Sequence, residues 1–176
     1  MSSRAHASAC AEVRQLLAVI DGAYDRRSWH GTNLRGSIRG LTARQAAWRP
    51  VGSDPRVRHG GQTPPHNIWE LVVHAAYWKY AALRRLTGAR RGSFPLKGSN
   101  WFARDGAIDE RAWRDDVVLL DRMHRSLREA IAGLSAADLD RTPAGSTASM
   151  FALLSGIAAH DLYHAGQIQL LKRLQR

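Results

Sequence analysis

Two histidines four positions apart, His160 and His164, lie in a run whose apolar residues recur with helical period. Their rings therefore project from one helix face, one turn apart. That spacing lets two imidazoles grip one metal ion. The same stripe carries Leu153, Gly156, Ile157, Gln167 and Leu171, a mostly apolar inward face into which polar side chains are set. Buried polar groups need partners, and two stacked imidazoles do not easily satisfy each other. Taken alone, the pair has a second reading as two hydrogen-bonded histidines of an ordinary core. A third histidine shifts the balance. His74 sits in the middle of another helical segment, on a stripe with Asn67, Leu71, Trp78 and Ala81. Three imidazoles on the inner stripes of two helices are what a three-nitrogen site in a bundle core requires. They leave a fourth coordination position open, as in a catalytic site.

Other side chains are candidates for supporting roles. Glu70, one turn before His74, is the only acid placed near that stripe and could act as a base; an exposed helix position is the alternative reading. Tyr163 and Gln167 could orient ligands or substrate by hydrogen bonds. His124 falls in a helical seam between Leu120 and Leu127, where a satisfied core histidine, a fourth ligand and a supporting group are all open; the first is favoured. His66 opens the second helix and only decorates its first turn, while His6, His30 and His59 read as surface residues.

Four longer segments position these groups. The first runs from about Ser8 to Arg27, with Val13, Leu16, Leu17, Ile20 and Tyr24 on one stripe. The second begins after Thr63-Pro64-Pro65, a cap residue followed by prolines that suit a first turn, and runs to Leu86 before Gly88. The third spans about Asp109 to Ala132, with Trp113, Val117, Leu120, Leu127 and Ile131 as its seam and Gly133 as its stop. The fourth starts near Ser146–Ser149 and continues to Leu174, with Phe151, Leu154, Ile157, Ile168 and Leu171 inside. The connection from Ser28 to Thr63 holds a short helix around Leu34 to Leu41 and a capped turn at Thr42-Ala43-Arg44-Gln45. Residues 88–108 form another long connection, and only the third is short enough to force antiparallel neighbours. The pattern is an all-α, four-helix bundle with long crossover connections, not a simple up-down-up-down arrangement, in a single domain over 1–176.

The 88–108 connection is too long for a mere link, and long loops are disproportionately functional. Trp101 and Phe102 would anchor it across the open end of the bundle. Arg90, Arg91 and Lys97 would offer positive charge to an anionic substrate, with Trp101 beside it. The plainer alternative is a surface crossover whose aromatics plug the bundle.

The chain has 176 residues, of which 44% are apolar and 23% charged, which is globular usage. No stretch approaches the roughly 18 uninterrupted apolar residues of a membrane span. Near the N-terminus Glu12, Arg14 and Gln15 interrupt any apolar run, so no secretory signal is expected. The single cysteine, Cys10, excludes an intrachain disulfide framework, and a cytoplasmic setting is expected. Basic residues outnumber acidic ones 26 to 15, a net charge of +11. The excess is almost all arginine and is scattered in pairs, without a basic run, so nucleic-acid binding is not expected.

His74, followed far downstream by His160-Asp161-Leu162-Tyr163-His164-Ala165-Gly166-Gln167-Ile168, resembles the ligand pattern of the DinB/YfiT-like metalloenzyme superfamily. The stretch Leu41 to Pro50 also resembles the linker of that family, and the likeness covers nearly the whole chain. It implies a four-helix bundle of non-sequential helix order, one divalent metal ion (zinc or nickel) on His74, His160 and His164, and a homodimer. Characterised relatives include transferases and isomerases that use bacillithiol or mycothiol, so a low-molecular-weight thiol cosubstrate is implied. Three function classes follow. The first is a metal-dependent transferase or hydrolase acting on a small molecule, a thiol-dependent S-transferase foremost. The others are a non-catalytic metal-binding stress-response protein and, last, a basic nucleic-acid binder.

Overall fold

A computed structural model describes residues 10–50, 65–90, 92–104 and 108–175. Ser8, His6, His59, Thr63, Pro64 and Arg91, named above, lie outside the described residues. The described residues form seven helices and no strand: α1 Ala11–Tyr24, α2 Leu34–Ser37, α3 Ala43–Ala47, α4 Ile68–Thr87, α5 Glu110–Ala132, α6 Ala136–Asp140 and α7 Met150–Leu174.

The helix ends follow local chemistry. Asn67 caps α4, its side chain accepting from Glu70 N at 2.8 Å while Glu70 Oε2 accepts from Asn67 N at 3.3 Å. This reciprocal box satisfies two otherwise unpaired N–H groups. The start of α4 is thus set by Asn67, and not by the Thr63-Pro64-Pro65 signal. At the other end Gly88 adopts φ 69°, a left-handed conformation that glycine reaches without strain. Asp109 and Ser149 cap α5 and α7 with their side chains, at the ends expected from sequence. The short helix of the first connection stops at Ser37, and the capped turn at Thr42 opens into α3 with a second capping box to Gln45. Helix α6, which the sequence reading lacked, is opened by a third box between Ser135 and Asp138.

The four long helices pack in a ring. α4 lies between α5 and α7, and α1 lies between α7 and α5. Consecutive long helices α1 and α4 are therefore diagonal, as are α5 and α7, which explains the long first connection. It also corrects the expectation that the third connection forces neighbours: Gly133 to Ser149 carries α6 and crosses the bundle end instead. Two apolar clusters fill the ring, one around Ile68, Val72, Trp113, Leu120 and Ile168, the other around Val13, Ile20, Leu127, Met150 and Leu154. Each fully buried aliphatic side chain contributes about 1.5–3 kcal/mol. No helix is long and apolar enough, among the described residues, to cross a membrane.

Candidate metal centre

The three histidines meet where α4 and α7 pack together. His74 Nε2 lies 3.0 Å from His160 Nε2, which lies 3.0 Å from His164 Nε2. His74 and His164 are buried and His160 is half-buried. Tetrahedral ligands held at roughly 2.0–2.1 Å from zinc are themselves about 3.3 Å apart, so these two spacings are close to those of a ligand set, and all three atoms lie within 4.8 Å of one another.

The outer ring nitrogens decide what the inner ones can do. His74 Nδ1 is 2.8 Å from the carbonyl oxygen of Asn100, and His164 Nδ1 is 2.6 Å from Gln167 Oε1. Both partners only accept, so each Nδ1 carries the proton and each Nε2 presents a lone pair. Three inward nitrogens, two of them fixed as acceptors, cannot satisfy one another. A cation can be held there, and the donor set suits one: three imidazoles, two already oriented from behind. Electrostatics point the same way. Burial, opposed in part by the bond to Asn100, pulls His74 down to about 4. Burial, with His164 and His74 adding to it, pulls His160 to about 3, and burial also lowers His164. All three rings are neutral, the form that ligates.

The chain matches the model of the DinB superfamily over residues 26–168. It belongs to that superfamily. No curated protein and no solved structure matches it. In this DinB-superfamily chain the match spans both histidine-bearing helices and the connections between them.

The connection after α4 does return over the site. Asn100, at φ 65°, turns its carbonyl to His74, and its side chain accepts from Trp78 Nε1 at 3.0 Å. Trp101 then lies flat on His74, ring centroids 3.7 Å apart, and His66 stacks on its other face at 3.5 Å. His66 thus does not open α4 as expected from sequence, but precedes its Asn67 cap and packs on Trp101. Phe94 and Phe102 are buried against Tyr77 and hold the loop down.

The remaining candidates separate. Gln167 orients His164, as described. Tyr163 is 64% exposed and meets His164 only ring edge to face at 5.2 Å. Glu70 is buried, not exposed, and its oxygens accept from Arg49 at 2.6 Å, from Asn67 and from His66. Burial alone would raise its pKa, but those bonds outweigh it and hold the carboxyl below its ordinary range. None of its hydrogen bonds reaches the three histidines. Arg90 is exposed on the loop, and Arg91 lies outside the described residues. His124 is a core residue, stacked on Tyr24 at 3.7 Å and pulled by burial to about 3.

Sequence reasoning missed Asn100, Lys79 and Asp161. Lys79 on α4 and Asp161, next to His160 on α7, form an ion pair in the interior. The only sequence signal was position: both fall among apolar stripes.

Proposed function

We propose that this DinB-superfamily protein is a metal-dependent enzyme that transfers a low-molecular-weight thiol to an electrophilic small molecule, with one zinc or nickel ion on His74, His160 and His164. The observation that carries it is the convergence of three neutral Nε2 atoms, two of them locked as acceptors by Asn100 and Gln167. A divalent ion on three imidazoles keeps an open position and supplies Lewis-acid activation of a thiol or water there. The rest falls to the chain. Asn100 and Gln167 hold the ligand rings in one tautomer, and Trp101 covers His74 from solvent. Glu70 is assigned to capping α4 rather than to proton transfer. In the transfer the thiol sulfur bonds to the electrophilic carbon, the leaving group departs with its electron pair, and the thiol proton goes to solvent.

The test begins with elemental analysis of protein purified without a polyhistidine tag. It should contain one divalent ion per chain, and alanine at any of the three histidines should remove most of it while the helical signal persists. An ion that binds only the folded chain stabilises it by about 2.7 kcal/mol at a hundredfold excess over its dissociation constant, so chelation should lower the melting temperature reversibly. Metal-loaded protein should then consume a thiol from a panel of biological thiols against an aryl halide. Full metal occupancy in two of the three variants would overturn the ligand assignment. Metal without turnover of any thiol, or of water in a hydrolytic assay, would leave a metal-binding protein and refute the enzyme.

A further inference from the structure

The C-terminal half of α4 and the loop at 92–99 bound a cleft of about 580 Å³ that reaches Trp78, the ring neighbour of His74 and His160. That is within the roughly 300–1,000 Å³ of small-molecule sites. Tyr77, Trp78 and Tyr80 line it from the helix and Phe94 from the loop. Arg84, Arg85 and Lys97 line it as well, and no acidic residue among the described residues does.

Among the described residues none of these three cations has a carboxylate within ion-pair distance. Elsewhere the arginines that face the body of the bundle are paired: Arg35 with Asp121, Arg104 with Asp116, Arg128 with Asp21. Arg84 and Arg85 stand in the last turn of α4, where positive charge complements the helix dipole. That accounts for their presence at this end but not for Lys97, which reaches the cleft from the loop, nor for the aromatic lining. Trp78 connects the cleft to the metal centre, its ring 6.3 Å from His74 and 6.2 Å from His160. From His74 to Arg84 the axis of α4 rises roughly 15 Å.

We infer that this cleft binds a small organic oxyanion, a carboxylate or phosphate held by Arg84, Arg85 and Lys97, with a flat or apolar body against Trp78 and Tyr80 and its far end at the metal centre. Arginine forks take either oxyanion in two parallel bonds, and aromatic walls take a flat body without demanding its hydrogen bonds. The delivery to the metal centre rests on the enzyme reading above; the binding itself does not.

The test uses ligand-observed NMR and calorimetry on the metal-loaded full chain, with phenyl phosphate, phenylacetate and the uncharged benzyl alcohol as probes. At least one anion should bind at least tenfold more tightly than benzyl alcohol, and its affinity should fall with added salt. Which anion is tighter tells a phosphate from a carboxylate ligand. The pair Arg84→Gln with Arg85→Gln should weaken the anion at least tenfold, and Lys97→Gln at least threefold, with helical signal and metal content unchanged. Arg44→Gln, at an exposed position of α3, should leave binding as it was. If neither anion outbinds the alcohol, or if the Arg84/Arg85 double variant and Lys97→Gln both bind the anion within twofold of the parent, the cleft is not an anion site. His160→Ala separates the two readings: anion binding should survive the loss of metal, so failure of the enzyme reading leaves the cleft standing, and the reverse holds.

Discussion

Lys79 donates to Asp161 inside the bundle, where their side chains are 0% and 1% exposed. The pair ties α4 to α7 beside the histidines, because Asp161 is the chain neighbour of His160 and Lys79 follows His74 by little more than a turn. Burial pushes the Asp161 carboxyl up, and the Lys79 ammonium opposes that. Among the described residues Asp161 Oδ1 has no hydrogen-bond partner, and the Lys79 ammonium lies over the Tyr24 ring, so neither charge has a substitute for the other. Removing one member of such a pair typically costs about 3–5 kcal/mol, whereas replacing both by apolar groups is often neutral. Lys79→Met alone should therefore lower the urea midpoint severely. The double variant Lys79→Met with Asp161→Leu should recover most of it. A single variant within about 1 kcal/mol of the parent would show that the pair does not hold the helices.

Gln167 and Asn100 would act on a bound metal through His164 and His74. Groups that fix a ligating imidazole from behind are typically worth about 10–100-fold in metal affinity. Gln167→Leu removes the acceptor for His164 Nδ1 and should weaken metal binding by that factor, measured by competition with a chelator of known affinity. Gln167→Glu keeps an acceptor and should retain most of the affinity. Asn100→Ala should also weaken the ion, since it loses the Trp78 bond and forces alanine into a left-handed backbone that asparagine tolerates. Equal affinity in Gln167→Leu and the parent would remove Gln167 from the site.

How much of this the sequence disclosed depends on the range of the interaction. His160, His164 and His74 were legible because helical period assigns a side chain to a face before any tertiary contact is known. The ends of α5 and α7 were legible for the same local reason. The start of α4 was not, because two signals competed: Thr63-Pro64-Pro65 looks like a helix entry, but Asn67 with Glu70 three residues on makes the reciprocal cap. Helix α6 escaped notice because aspartate at its third position is a weaker box signal than glutamate or glutamine. Asn100 and Trp101 belong to a loop, whose fold over His74 is a matter of tertiary packing that no period announces. Lys79 is the plainest case, since a lysine among apolar residues reads as a surface group until its partner is seen.

Acid should destabilise the metal-free protein within a definite window. His74 is held at about 4, and His160 and His124 at about 3, against about 6.5 in an unfolded chain. Between those values the unfolded chain binds more protons than the folded one, so stability rises with pH there. It is present in full above roughly 6.5, is lost as pH falls toward 4 and 3, and flattens below. Denaturant midpoints of metal-stripped protein at pH 7.5, 6, 5 and 4 should fall in that order. Metal-loaded protein should fall more steeply, because protonation also releases the ion. A midpoint unchanged from pH 7.5 to 5 would mean that the imidazoles are not buried neutral.

We propose that a second copy of the chain would dock on the outer face of α7. Phe151, expected inside, is more than half exposed, as are Tyr163, Leu170 and Leu174; Ala152, Gly156, Ala159 and Gly166 lie exposed among them, with Arg173 the one exposed charge of the helix. A surface helix ordinarily turns charged residues outward, and one that is apolar all round has a partner on each side. The bundle covers only one side of α7, which is the ground for expecting the homodimer that the resemblance implies. Glycines on such a face let two backbones approach closely. A Cβ built on Gly156 or Gly166 meets nothing within 4 Å, so a side chain there fits the single chain and obstructs only a neighbour. Gly156→Arg and Gly166→Arg should each turn a dimer into a monomer by light scattering, with metal content and helical signal intact. Stability of the monomer should hold or rise slightly, since glycine inside a helix costs about 0.5–1 kcal/mol relative to better helix formers. A parent protein that is monomeric at micromolar concentration, or arginine variants that remain dimeric, would rule out this face as the contact.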